Sequence, residues 1–304
     1  MKTLLEAIRP TTFIEAEKLV RHLGLDITIA SETFQHTGSF KFRAGYNVAL
    51  NVPNDEIFSA SSGNFGQGIA YACQLLGKRC TVVMPHTSAR VKIDAVAGYG
   101  ATVDLIDVSV IPRAERIAQI ASEKPGAYLG SAYDDPLVIE GNASLGDELA
   151  AYKQDFDVVI APIGGGGLTA GLINGLRRNG KQTQVIAAEP LMGNDAARSI
   201  REGRIVANES EPQTLADGAR TVSVGVHNWK VLQHGLDSVI EVSEEKLIDA
   251  VRLYYSLANL KVEPTGALSL GAILKQPEMF RDKKICVIVS GGNVDADVYK
   301  KVLS

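Results

Sequence analysis

Val158-Val159-Ile160-Ala161-Pro162-Ile163-Gly164-Gly165-Gly166-Gly167-Leu168 is an apolar run that ends in four consecutive glycines. Residues 158–163 read as a buried strand and 168–178 as a helix. A flexible linker seldom sits between two such elements. Glycines there let backbone N–H groups crowd around a phosphate at a helix N-terminus, where the helix dipole favours negative charge. A dinucleotide fingerprint is a second reading, because Glu189 ends the next strand where a ribose-binding acid would stand. The pattern alone leaves both open. No Walker-type glycine-lysine-serine segment occurs, which disfavours a nucleotide triphosphatase.

Outward from this run, the chain alternates helix and strand in the rhythm of a parallel α/β protein. Helices are expected over 65–76, 88–98 and 113–123, with strands over 79–84 and 102–106. They form a compact small lobe over 54–130. A second series follows, with helices over 137–152 and 168–178 and strands over 158–163, 184–189 and 284–289. A helix is expected over 244–260, and 203–213 and 220–228 read as loops. Residues 1–53 hold too few strands to fold alone and are expected to join 131–304 in a large lobe. A ligand site then falls in the cleft between lobes.

The 304 residues suit a two-lobed unit, and 45% hydrophobic with 22% charged residues is the composition of a soluble globular protein. A net charge of −4 and the lack of a Lys/Arg run argue against a nucleic-acid or anionic-membrane partner, so a small molecule is expected. Three cysteines without close spacing make neither a zinc site nor a disulfide framework. With no leader-like or membrane-length apolar segment, a cytoplasmic location is the expectation.

Thr37-Gly38-Ser39-Phe40-Lys41-Phe42-Arg43 singles out one lysine. An isolated lysine is ordinarily solvated. Phe40 and Phe42 flank this one, so its amine can be desolvated toward the neutral, nucleophilic form that condenses with an aldehyde. Ser61-Ser62-Gly63-Asn64 opens the next helix, either as a cap or as a grip for a carboxylate. Ser290-Gly291-Gly292-Asn293 ends the strand over 284–289, where α/β ligands bind, although the same residues suit a simple turn.

In this order the segments resemble the fold-type II pyridoxal-phosphate enzymes, specifically the serine racemase and serine/threonine dehydratase branch, over nearly the whole chain. Further matching stretches are Ser31-Glu32-Thr33-Phe34-Gln35, Ala216-Asp217-Gly218 and Val262-Glu263-Pro264-Thr265-Gly266. The resemblance implies the tryptophan synthase β-like α/β fold, two open parallel-sheet lobes with the cofactor in the cleft. Lys41 would hold pyridoxal 5'-phosphate, with Phe40 beside it. Gly164, Gly165, Gly166, Gly167 and Leu168 would hold its phosphate, Asn64 its ring hydroxyl and Ser290 its ring nitrogen. Ser61, Ser62, Gly63, Phe65 and Asn142 would meet the substrate, with Ser62 as acid/base on the face opposite Lys41. Glu189, Asp195 and the Gly193 carbonyl would bind Mg²⁺, Ca²⁺ or Mn²⁺, hard cations suited to oxygen ligands.

The implied reaction is loss of water and then ammonia from a small β-hydroxy amino acid: L-serine, L-threonine or 3-hydroxyaspartate. The alternatives are an amino-acid racemase, a β-replacement synthase and a dinucleotide-binding oxidoreductase. A homodimer is implied, and no C-terminal regulatory domain is expected. The chain departs from the family's usual pattern at Phe65-Gly66, at Glu140-Gly141-Asn142-Ala143-Ser144 and at Ala30, which puts substrate choice rather than reaction class in question.

Overall fold

The computed structural model describes residues 2–61, 63–88 and 90–304. Among them are ten strands: β1 (Thr12–Ile14), β2 (Asp26–Ser31), β3 (Glu56–Ala60), β4 (Arg79–Pro85), β5 (Thr102–Ile106), β6 (Tyr128–Gly130), β7 (Val158–Pro162), β8 (Gln184–Pro190), β9 (Ser238–Val242) and β10 (Lys284–Val289). They make a six-stranded sheet in the order β1-β2-β10-β7-β8-β9 and a four-stranded sheet in the order β5-β4-β3-β6. Every pairing is parallel except that of the edge strand β1 with β2. Helices cover both faces of the large sheet, so its central strands are continuous apolar runs; every residue of β7 is buried.

The chain starts the large sheet, leaves it after the helix Lys41–Asn51 to build the small sheet, and returns at the helix Pro136–Ala150. Helix Lys41–Asn51 and helix Asn64–Leu76 are interlocked where the two sheets meet. A Cβ on Gly68 would lie 2.8 Å from the Lys41 carbonyl oxygen, and one on Gly45 would lie 2.7 Å from the Gly68 carbonyl carbon. Only glycine permits backbones that close.

The strand and helix alternation expected from 54 onward is present, with ends displaced by one or two residues where caps decide them. One loop expectation is corrected. Residues 220–228 run into the helix Val226–Gly235, because the Asp134 carboxylate accepts the N–H groups of Val226 and His227 at 2.9 and 2.8 Å. That cap comes from 92 residues away and leaves no local mark. Helices Lys41–Asn51 and Pro264–Lys275 are buried almost all round, which erases the polar face that periodicity needs. No helix is long and apolar enough to cross a membrane among the described residues.

Candidate active site

Four functional segments start at the carboxyl ends of four adjacent parallel strands: the lysine loop after β2, Ser290 after β10, the glycine run after β7 and Glu189 within the end of β8. Ligands of open α/β sheets bind at that edge. The Phe40 N–H donates to the Ser290 carbonyl and the Gly292 N–H to the Gly38 carbonyl, each at 3.0 Å, which stitches the lysine loop to the loop after β10. Thr37 is held in the left-handed region (φ 62°), an uncommon state for a β-branched residue, and the Asn293 amide donates to its carbonyl at 2.6 Å.

Lys41 opens its helix, and its Nζ donates to the Ala132 carbonyl at 2.7 Å. The Phe40 and Phe65 ring centroids lie 5.1 and 5.6 Å from that nitrogen. Desolvation lowers the amine's pKa to about 8, against the opposing field of Glu263. Lowering the pKa raises the share of neutral amine near neutrality, which an amine nucleophile needs. Two residues on, Arg43 is buried completely, and all five of its guanidinium N–H bonds are used. Glu32 accepts two of them at 2.7 and 2.9 Å, and Glu148, Ser144 and Thr11 accept the others. Burial opposes the charge, but Glu32 and Glu148 outweigh it and raise the pKa of Arg43. The cluster pins the root of the lysine helix to β2 and to helix Pro136–Ala150.

The helix Gly167–Arg178 begins within the glycine run, with Gly166 at φ +94°. Its first N–H groups open toward the strand ends, a ready anion cradle. The loop is held from behind, since the Gly165 carbonyl accepts from the Gly225 N–H and from the Asn228 amide. Asn142, expected against the substrate, is fully buried; its amide donates to the Gly167 carbonyl at 3.0 Å, and its Oδ1 has no hydrogen-bond partner.

Ser61 is used as a cap: its hydroxyl accepts the N–H groups of Gly63 and Gly66 at 3.3 and 3.1 Å. Ser62 lies outside the described residues. Phe65 is buried beside Lys41, and Gly63 precedes the helix Asn64–Leu76. The Asn64 amide donates to both Glu263 oxygens at 2.8 and 3.1 Å, while its carbonyl accepts from Asn293 at 2.9 Å. Glu263 and Asn293 thus orient Asn64, roles that sequence reading did not assign them. Burial and the nearby Asp217 raise the pKa of Glu263. Ser290 is buried and its hydroxyl has no hydrogen-bond partner, so it remains free to bond a ring nitrogen.

Glu189 and Asp195 are each 1% exposed. The Glu189 oxygens accept the Ala196 and Ala197 N–H groups at 2.8 and 2.9 Å. That inward posture removes Glu189 as a ribose-binding acid and with it the main support for a dinucleotide site. Desolvation raises Glu189 to about 8 and Asp195 to about 7. Asn208 donates to Asp195 Oδ1 at 3.0 Å, while Oδ2 is buried without a partner. The unpartnered oxygen and paired acids suit a hard cation. Among the described residues no cluster of three His, Cys, Asp or Glu side chains could hold a metal ion, so a cation here would also need backbone or water oxygens.

A phosphate cradle, a desolvated lysine and an unpartnered serine hydroxyl along one sheet edge define the class. The pyridoxal-phosphate-dependent enzyme family profile matches residues 4–291, and the chain belongs to that family. It is 35% identical over 95% of its length to the beta-hydroxyaspartate dehydratase of Paracoccus denitrificans, covering 92% of that protein. It is likewise 35% identical over 97% of its length to the serine racemase of Schizosaccharomyces pombe, again covering 92%. The crystal structure of a T.th. threonine deaminase superimposes with a TM-score of 0.88 at 36% identity, covering 96% of this chain and 95% of that one.

Proposed function

We propose that this chain is a pyridoxal-phosphate-dependent ammonia-lyase that converts a small β-hydroxy amino acid (L-serine, L-threonine or 3-hydroxyaspartate) to a keto acid and ammonia. The observation that carries it is Lys41 at the same strand-end edge as the glycine cradle and the free Ser290 hydroxyl. Relatives named for dehydratase and ammonia-lyase activities support the reaction class. When bound, the cofactor supplies an electron sink for the carbanion formed at the substrate's α-carbon.

The chain's own residues do the rest. Backbone N–H groups over 164–168 bind the phosphate. Ser290 donates to or accepts from the ring nitrogen without imposing the full positive charge that a carboxylate partner would. Asn64, oriented by Glu263 and Asn293, meets the ring hydroxyl. Phe40 and Phe65 exclude water from the Lys41 amine, which takes the α-proton; such general-base help is worth roughly a hundred- to ten-thousand-fold. Ser62 is proposed as the second acid/base. Glu189, Asp195 and the Gly193 carbonyl are proposed to hold Mg²⁺ or another hard cation, which would quench the repulsion between two buried acids.

The lobes are taken as 1–53 with 131–304 and 54–130, in a homodimer as the family resemblance implies, with a cytoplasmic location as the default. A racemase reading is favoured by the serine racemase relatives. Incubating the holoenzyme with both enantiomers of serine, threonine and 3-hydroxyaspartate, then measuring ammonia, keto acid and chirality, tests both readings. Ammonia release should dominate for at least one L-substrate. Enantiomer exchange without ammonia would replace the lyase reading with the racemase one, and neither product would sink both.

A further inference from the structure

The segment that follows β6, Ser131-Ala132-Tyr133-Asp134, is bonded both to the cofactor lysine and to the glycine run. On one side its Ala132 carbonyl accepts from the Lys41 Nζ at 2.7 Å. On the other, the Tyr133 ring fills the space that a Cβ on Gly165 would need, and a Cβ on Gly167 would lie 2.6 Å from the Tyr133 carbonyl oxygen. Between these contacts the Ser131 hydroxyl accepts the N–H groups of Tyr133 and Asp134 at 3.4 and 2.9 Å, which folds the four residues into one tight turn.

Asp134 ties this turn to the back of the glycine run. Its carboxylate accepts the N–H groups of Val226, His227 and Asn228 at 2.9, 2.8 and 3.3 Å, and the Gly225 backbone lies so close to it that no Cβ would fit. Helix Val226–Gly235 thereby presents the Asn228 amide, which donates both to the Tyr133 carbonyl at 3.1 Å and to the Gly165 carbonyl at 2.6 Å. The Gly225 N–H donates to the same Gly165 carbonyl at 3.0 Å. Asn228 is fully buried and its own Oδ1 has no partner, so among the described residues its side chain bonds nothing else.

We infer that residues 131–134 relay occupancy of the phosphate cradle to the Lys41 amine, with Asp134 as the positioning residue that keeps the relay aligned. The peptide joining Gly165 to Gly166 offers its N–H to the cradle and its carbonyl to Asn228. An anion on that N–H polarises the peptide and makes the carbonyl a stronger acceptor. Gly165 then grips Asn228 more firmly, Asn228 fixes the Tyr133 carbonyl, and the adjoining Ala132 carbonyl fixes the amine. A neutral amine that donates one N–H keeps its lone pair free to attack, so phosphate in the cradle speeds condensation at Lys41. The inference rests on the cofactor site of the proposed function and not on the choice between lyase and racemase.

The test uses the cofactor-free protein, inorganic phosphate, and pyridoxal, the cofactor's aldehyde without its phosphate group. Condensation of that aldehyde with the Lys41 amine forms a C=N bond and releases one water; absorbance follows it with no substrate turned over. In the parent, phosphate at constant ionic strength should raise the condensation rate saturably, by about fivefold or more. Asp134→Ala should cut that gain below about twofold, and Asp134→Asn, which keeps an acceptor oxygen, should restore at least half of it. Ser243→Ala removes the cap of helix Glu244–Ala258 at the Lys246 N–H and should leave the gain whole. No gain in the parent, or one that rises linearly as buffer catalysis does, overturns the relay. So does a gain that survives Asp134→Ala or is lost in Ser243→Ala, because Asp134 would then be an ordinary helix cap. If Asp134→Ala does not fold, Asn228→Ala decides, and a gain equal to the parent's overturns the relay. A parent that condenses with neither pyridoxal nor pyridoxal 5'-phosphate overturns the proposed function as well, whereas capture of the phosphorylated aldehyde without a phosphate effect on the other overturns the relay alone.

Discussion

Two buried charge clusters lie one on each side of this site, and they are built on opposite principles. Around Arg43 every donor has an acceptor, and the guanidinium's double hydrogen bond to Glu32 pairs its charge. Glu189 and Asp195 are two buried carboxyls with pKa values both raised by desolvation, and one Asp195 oxygen has no partner. Lys41 and Ser290 share that incompleteness, one with a lowered pKa and one with a free hydroxyl. A cluster that satisfies itself is architecture; one that does not is waiting for something the chain does not supply.

The largest expected effect comes from the incomplete side. Lys41→Ala should remove turnover and also the borohydride-stable attachment of pyridoxal phosphate, because one amine serves both. Substantial turnover by that variant, assayed under saturating cofactor, would show that the lowered pKa of Lys41 has nothing to do with chemistry.

Breaking the complete cluster should cost stability instead. Arg43→Met leaves Glu32 buried and unpaired, a loss of about 3–5 kcal/mol in urea unfolding. A loss below about 1 kcal/mol would mean that the network is replaceable by packing, and the contrast between the two clusters would collapse.

A smaller effect is expected at the acidic pair. Chelator should lower both Tm and activity, Mg²⁺, Mn²⁺ or Ca²⁺ should restore them, and Glu189→Gln should abolish the response, since a cation that binds only the folded state stabilises it by mass action. Calorimetric titration that finds no binding of any of the three would reduce the pair to two buried acids.

The smallest effect is in pH. The Lys41 amine has its pKa lowered from 10.5 to about 8, so in cofactor-free protein its desolvation penalty is fully present below about 8 and fades as pH rises toward 10.5. Relative to Lys41→Met, the cofactor-free parent should gain stability across that window, and its rate of covalent cofactor capture should level off above about pH 8. A midpoint near 10.5 in the capture rate would mean that the amine is solvated.

Much of the architecture was legible because it is local. An apolar run followed by glycines and a helix can be recognised within twenty residues, and the strand expected over 102–106 and the helix over 113–123 are found at those limits. Lys41 stood out for its aromatic neighbours; Phe40 does lie near its amine, but the second ring there is Phe65, and Phe42 packs instead with His36, Tyr46 and Tyr71. The opening of helix Val226–Gly235 was illegible because its cap, Asp134, belongs to another part of the chain. The bond from the Asn142 amide to the Gly167 carbonyl, 25 residues on, was equally illegible, because helix packing sets it.

Sequence by itself carried the family resemblance, and with it the expected reaction class, in its ordered lysine, glycine-run and serine segments. Only the tertiary structure decided which polar groups were already spent. Ser61 serves two backbone amides, and Asn64 is fixed between Glu263 and Asn293 across 199 and 229 residues of chain. Hydrogen-bond capacity is finite and burial is non-local, so the partners that consume or spare a group appear only when distant segments are brought together.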